Sequence, residues 1–481
     1  MMRPLVCMAV MLAGVLAATA GWPGVAGAEI SPVGSPTGGV YIQQTGTQTD
    51  QVSNLVFDIE QIGNTIYVSG KFRETRPYSR GPITVQPYLA AFDARTGDYL
   101  SGFQPDVEGP VYALQASPDG SHLIIGGEFT HVEGDTGARG LAAINPTTGA
   151  LDRTWRARLT TDSGARPIVF DMAVSGGHLY AGGRFDTVGS PQHRSQRVVK
   201  VSLADGSAET VFAARATGGP VRSVALAPDG SRLYIGGNHS SVGGQPGSGY
   251  FSVLDPTTGA FVPGVLDWDD GQLASWFPNV YAVAAVNNLV FFAGANNAVL
   301  VYDITTGREI ARHYTDGDVQ RLVVVGDRVY SGGHYYQFHV DQDGLRSDHA
   351  RVVAYSATTG AFIPGFDPIL SAQRSGVWAI HGAPDGCLWI GGDLTSMAVV
   401  GGGTRALGGF ARFCGGVADP SDEPATDVIP PSAPSQLIQT RSEKHKIVIK
   451  YSAATDNVGI SHYEVRRDGV LVDTESGGSS N

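Results

Sequence analysis

Leu233-Tyr234-Ile235-Gly236-Gly237 is a short apolar strand that stops on two glycines. Its reading decides the fold, because the chain repeats it. Ile66-Tyr67-Val68-Ser69-Gly70, Leu123-Ile124-Ile125-Gly126-Gly127 and Leu179-Tyr180-Ala181-Gly182-Gly183 come before it. Val290-Phe291-Phe292-Ala293-Gly294, Val329-Tyr330-Ser331-Gly332-Gly333 and Leu388-Trp389-Ile390-Gly391-Gly392 come after. The final glycines stand at 70, 127, 183, 237, 294, 333 and 392, in steps of 57, 56, 54, 57, 39 and 59 residues.

Each copy has the same flanks. Upstream is another strand, as in Val111-Tyr112-Ala113-Leu114, Val169-Phe170-Asp171-Met172 and Val221-Arg222-Ser223-Val224. Turns such as Pro118-Asp119-Gly120, Pro228-Asp229-Gly230 and Pro384-Asp385-Gly386 join the two, with Pro presetting φ and Gly accepting φ > 0. Downstream a third strand, such as Leu141-Ala142-Ala143-Ile144-Asn145, meets a Thr-Gly turn (Thr148-Gly149, Thr258-Gly259, Thr359-Gly360) and a short fourth strand. The unit is a four-stranded antiparallel meander, and a period of roughly 40–50 residues suits a propeller blade. One meander exposes two faces and two edges and is barely stable alone; stacking in a closed ring buries both faces. The expected fold is all-β: a seven-bladed β-propeller of four-stranded antiparallel blades over residues 29–418.

The seventh repeat lacks a fourth strand, and Gly39-Val40-Tyr41-Ile42-Gln43 is expected to supply it and lock the ring. Cys387 and Cys414 fall on neighbouring strands of this closing blade, so a disulfide is expected; two free core thiols are the alternative. Residues 1–28 have the form of a secretory signal. Arg3 starts it, Leu5 to Ala20 is apolar, and Ala26-Gly27-Ala28 offers small residues for cleavage. The chain is expected to be secreted, extracellular and not inserted in a membrane. Its net charge of −12 argues against a nucleic-acid partner, which needs clustered Lys and Arg. Residues 419–434 form a Pro/Asp/Ser-rich linker. After it come strands near 446–451 and 461–466, in a module over 435–481.

The repeat resembles the bacterial secreted delta-60 propeller repeat. Gly126-Gly127-Glu128-Phe129-Thr130 with Leu141-Ala142-Ala143-Ile144-Asn145, and Gly182-Gly183-Arg184-Phe185, carry the likeness; Ala293-Gly294-Ala295 departs from it. That resemblance implies a fold and no agreed reaction. The last residues resemble a fibronectin type III domain of the kind attached to bacterial polysaccharide-active enzymes, through Thr455-Asp456-Asn457-Val458-Gly459 and Tyr463-Glu464-Val465, with Tyr451 where a core Trp is usual. Only about half of such a seven-stranded module is present.

The turns of the meanders are minimal and gather on one face, so the long loops after the glycine-ended strands project from the other, where binding residues collect. Lys71, Glu128, Arg184, Asn238, Asn296, His334 and Asp393 follow the glycines and are the candidate ligand-binding residues; polar bonding between blades is the other reading. Asp58, Asp171 and Arg321 share one column of the first strands, as a charge cluster in the channel or a buried ion pair. Asp267, Asp269 and Asp270 resemble half a calcium loop without its later ligands, and His334, His339 and His349 fit no zinc spacing. No nucleophile elbow, phosphate loop or His-Glu-x-x-His occurs, so no catalytic residue, metal or cofactor is expected. The expected function is a monomeric extracellular binding or scaffold protein for a glycan or protein ligand. The alternative is a polysaccharide hydrolase or lyase, whose carboxylate pair is recognised only by distance in space.

Overall fold

The computed structural model describes residues 30–31, 38–41, 55–77, 84–266, 279–340, 346–348, 351–363, 366, 368–384, 386–398, 404–415, 435–443, 446–452, 462–467 and 470–476. These residues form β-structure without a helix, in many small antiparallel sheets. None of them forms a helix long and apolar enough to cross a membrane, which says nothing of a β-barrel. The expected signal at 1–28 and linker at 419–434 lie outside the described residues.

Seven sheets repeat one plan. Sheet one holds Leu55–Ile62, Thr65–Lys71 and Leu89–Asp93; sheet two holds Val111–Ala116, Leu123–Gly127 and Leu141–Ile144; sheet three holds Ile168–Ser175, His178–Arg184 and Val198–Ser202. Sheet four holds Ala216–Leu226, Leu233–Val242 and Phe251–Leu254, and sheet five Val280–Val286, Leu289–Gly294, Ala298–Asp303 and Arg308–Thr315. Sheet six holds Val319–Val325, Arg328–Gly333, Val352–Ser356 and Phe362–Ile363, and sheet seven Leu370–Gly382, Leu388–Ala398 and Thr404–Gly415. The first, or leading, strands pack side by side in chain order, and that of sheet seven packs against that of sheet one. Seven apolar clusters follow the same circuit, each shared by two consecutive sheets; Val56, Ile59, Trp389 and Phe410 belong to the one that joins sheets seven and one.

The fourth strand is shorter than expected. In sheets one to four it shrinks to a single bridge, Phe92↔Tyr99, Ile144↔Leu151, Val201↔Ala208 and Leu254↔Phe261. After the tight turn the chain leaves for the next sheet instead of extending the ladder: Gln104 N already donates to the Thr148 carbonyl of the neighbouring turn. Among the described residues sheet five alone has a full outer strand, and the loop after Gly333 folds back onto it as Gln337–Val340 with Arg346–Asp348.

The closing segment also differs from expectation. Gly38–Tyr41 does not complete sheet seven; it pairs with Glu74–Pro77 of the first long loop. The edge of Thr404–Gly415 is met instead by Ile30–Ser31, through Ile30↔Gly415 and Ser31↔Cys414. An open edge needs some partner for its backbone groups, and the earlier residues supply it. Leu388 pairs with Phe413, so Cys387 and Cys414 stand at adjacent places on neighbouring strands. Near the C-terminus, Ser435–Glu443 pairs with Lys446–Ser452 and His462–Arg467 with Val470–Ser476, two hairpins close to the expected strands.

The paired glycines have a steric cause. Every leading strand skips one residue in its ladder: Val56↔Gly70 is followed by Asp58↔Ser69, and Val221↔Gly237 by Ser223↔Gly236. The same bulge recurs at Val111/Ala113, Val169/Asp171, Val280/Ala282, Val319/Arg321 and Val377/Ala379. A Cβ on Gly237 would strike the Pro220 carbonyl, where the bulge presses the backbone inward. A Cβ on Gly236 would meet Val280 Cγ1 of the next sheet at 2.5 Å. One glycine admits the bulge and the other admits the neighbouring sheet.

Candidate functional site

The residue left unpaired by each bulge is Phe57, Tyr112, Phe170, Arg222, Tyr281, Gln320 or Trp378 in turn. A bulge re-aims its extra side chain, and here it brings seven of them together. Phe57 lies 4.6 Å from Tyr112 and 5.6 Å from Trp378, between ring centroids. Tyr112 lies 5.4 Å from Phe170. The Arg222 guanidinium sits over Phe170 at 4.9 Å and over Tyr281 at 5.4 Å. With its amide nitrogen turned toward sheet seven, Gln320 donates to the carbonyls of Ser375 and Val377 at 3.0 and 3.2 Å. These side chains form a collar at the end of the leading strands where the long loops lie. All but Gln320 are half-buried.

One residue further along is a belt of charge. Arg321 reaches Asp58 Oδ1 at 3.1 Å and Asp171 Oδ1 at 3.3 Å, joining sheets six, one and three. Asp58 also accepts from the amides of Ile59 and Leu114, at 3.0 and 2.8 Å. Asp171 accepts from Ser223 Oγ and Val224 N at 2.8 and 2.9 Å. Burial pushes the Asp58 carboxyl up to about 6 although Arg321 opposes it, and pushes Glu60 up to about 7. His381, with Nδ1 at 3.7 Å from Glu60, is pushed down to about 4, by burial first and Arg321 second. A cavity of about 550 Å³ runs along sheets three to six from Tyr281 past Asp171 and Arg321 to Leu226 and Val324. Asp58, Asp171 and Arg321 form an ion-pair triad, and Asp171 and Arg321 also line the cavity, so the two readings of this column hold together.

The candidate residues after the glycines divide. Glu128 receives the Tyr112 hydroxyl at 3.4 Å and lies 3.9 Å from Arg184, so both stand above the collar. Lys71, at the end of its strand opposite Leu55, is exposed, as is His334, which donates its backbone N–H to the Asp318 carbonyl at 2.8 Å. Burial raises the Asp318 carboxyl, with His334 opposing, and Asp318 is in electrostatic reach of Tyr281. Asn238 and Asn296 are half-buried, and the side-chain oxygen of each, with the Asn296 nitrogen, has no hydrogen-bond partner. Asp393 is wholly buried, and its carboxylate accepts from Arg374, Ser375 and Gly376 N–H at 2.6, 2.7 and 2.8 Å, which fixes the entry to a leading strand. No group of three His, Cys, Asp or Glu among the described residues is placed to hold a metal ion; Asp267, Asp269, Asp270 and His349 lie outside them.

The collar escapes a sequence reading that assumes strict alternation. If Asp58 faces the axis, Phe57 belongs on the sheet face, and only the bulge cancels that inference. The available signal was the recurrence of a large residue after the first valine of each repeat.

No protein-family model matches the chain. A stretch of 55 residues is 40% identical to Chitinase Chi52 of Paenibacillus xylanexedens, covering 11% of this chain and 10% of that protein. Among solved structures, the computationally designed Ika8 protein covers 80% of this chain and 90% of its own, at 14% identity and a TM-score of 0.43. The WD40 β-propeller domain of Doa1 covers 78% and 96%, at 11% identity and a TM-score of 0.44.

Proposed function

We propose that the chain is an exported seven-bladed β-propeller of the delta-60 type that binds an extracellular glycan at its long-loop face. The collar carries this reading: apolar ring faces with polar edges, gathered in one mouth, suit the C–H faces and hydroxyls of a sugar. The closed circuit of leading strands supports the propeller, with each sheet as a blade. The stretch shared with a chitinase supports the carbohydrate side. Export rests on the form of residues 1–28. A Cys387–Cys414 disulfide accords with it, supported by the strand register and by Cys387 standing in the disulfide form. The C-terminal hairpins are read as part of a fibronectin type III spacer. Metal-free binding by a single chain is part of the same proposal.

Glu128 and Asp318 beside the collar keep a second reading, a polysaccharide hydrolase or lyase, in view. A glycan array run beside a reducing-sugar release assay on the purified chain separates the two. Binding without release is expected. Release that disappears in Glu128→Gln or Asp318→Asn would establish the enzyme, and absence of any glycan binding would overturn both readings.

A further inference from the structure

Arg222 is the cation of the collar, and no charged group among the described residues answers it. Its guanidinium is held between the faces of Phe170 and Tyr281. Its Nε is buried without an acceptor. The ionisable groups that act on it are the hydroxyls of Tyr281 and Tyr112, and no carboxylate among the described residues forms an ion pair with it. The carboxylates nearest the collar have other neighbours, Glu128 with Arg184 and Tyr112 and Asp318 beside Tyr281 and His334, and the remaining cation of the rim, Lys71, is exposed to water. The chain as a whole carries −12, so a half-buried cation without a carboxylate partner is not a general excess of positive charge. A cation drawn out of water costs free energy unless an anion meets it. A guanidinium gripped between two rings keeps its planar edge free, and that edge matches a carboxylate through two parallel hydrogen bonds.

We propose that the collar recognises an acidic sugar, a pyranose bearing a carboxylate, with the carboxylate on Arg222 and the ring stacked on the neighbouring aromatic faces. This rests on the glycan-binding reading and names its substrate class. The sequence points to the position only in hindsight, as the one basic residue in a column that is otherwise aromatic or amide.

The test uses the full chain and three uronate-containing oligosaccharides, oligogalacturonate, alginate and hyaluronan, each beside its carboxyl-reduced counterpart. Affinity is read by calorimetry for the parent, Arg222→Gln, Arg222→Lys and Trp378→Ala. At least one acidic probe is expected to bind about tenfold or more tightly than its reduced form. Arg222→Gln is expected to erase that difference, Arg222→Lys to restore only part of it, and Trp378→Ala to weaken acidic and reduced forms alike. An unchanged melting temperature for Arg222→Gln keeps the result from being a folding effect; should that variant fail to fold, Arg222→Lys decides. Equal binding of acidic and reduced probes, untouched by Arg222→Gln, would overturn the acidic-sugar assignment and leave glycan binding standing. Tight Arg222-dependent binding of a poly-glutamate peptide with no sugar bound would overturn both.

Discussion

Arg222 and Arg321 hold nearly the same place in the fourth and sixth repeats of one design, one residue apart in register, and they are treated in opposite ways. Arg321 lies in the belt behind the collar and is answered by Asp58 and Asp171, whose remaining lone pairs take backbone N–H and a serine hydroxyl. Arg222 lies in the collar and, among the described residues, is answered by ring faces and no carboxylate. A cation that holds a fold together is saturated by its own chain; one left for another molecule is positioned but not neutralised. The difference follows from the bulge, which puts two consecutive residues toward the axis where an unbroken strand would offer one.

The sharpest way to break this contrast is to remove each cation. Arg321→Ala leaves two carboxylates uncompensated and is expected to cost about 3–5 kcal/mol in denaturant unfolding. Arg222→Ala is expected to stay within about 1 kcal/mol, and equal losses would erase the distinction. Next in size is Gly237→Ala, whose new methyl meets the Pro220 carbonyl. It is expected to cost about 2–3 kcal/mol, because the bulge that makes the collar must shift.

A smaller effect separates the two layers by pH. Asp58 and Glu60 have carboxyls pushed up to about 6 and 7 by burial, whereas in the unfolded chain they titrate near pH 4. Between those values the folded state binds more protons than the unfolded one, so their contribution to stability falls as pH rises. His381, held down at about 4, binds fewer protons when folded and opposes them. Two carboxyls against one imidazole leave a net fall of about 1–2 kcal/mol between pH 4.5 and 7.5. Glu60→Gln is expected to shrink that fall and His381→Gln to enlarge it, both read from melting temperatures across the range. Smallest of all, Tyr112→Phe removes a long hydroxyl contact to Glu128 and is expected to change stability by no more than about 0.5 kcal/mol.

Much of this is legible in the sequence. The glycine-ended strands, the side on which long loops gather, and the shared column of Asp58, Asp171 and Arg321 all follow from spacing and turn chemistry. The meeting of Arg321 with two distant carboxylates is a tertiary event that the column only permits. A Thr-Gly turn guarantees reversal of the chain and not continuation of a ladder, which is why sheets one to four keep a single bridge where a fourth strand is expected. Gly38–Tyr41 has strand-forming residues, but an early hairpin partner at Glu74–Pro77 takes it, and propensity is silent on partners. Asp393 looked like its rim neighbours because only geometry shows three amides converging on it.

The repeated bulge has an evolutionary consequence. A side chain that belongs to no rung of the ladder can be exchanged without renegotiating strand register, and the glycines opposite keep the room it needs. Seven such sockets, one per repeat, let a lineage rewrite what the mouth prefers by point substitution while the sheets around it are inherited intact.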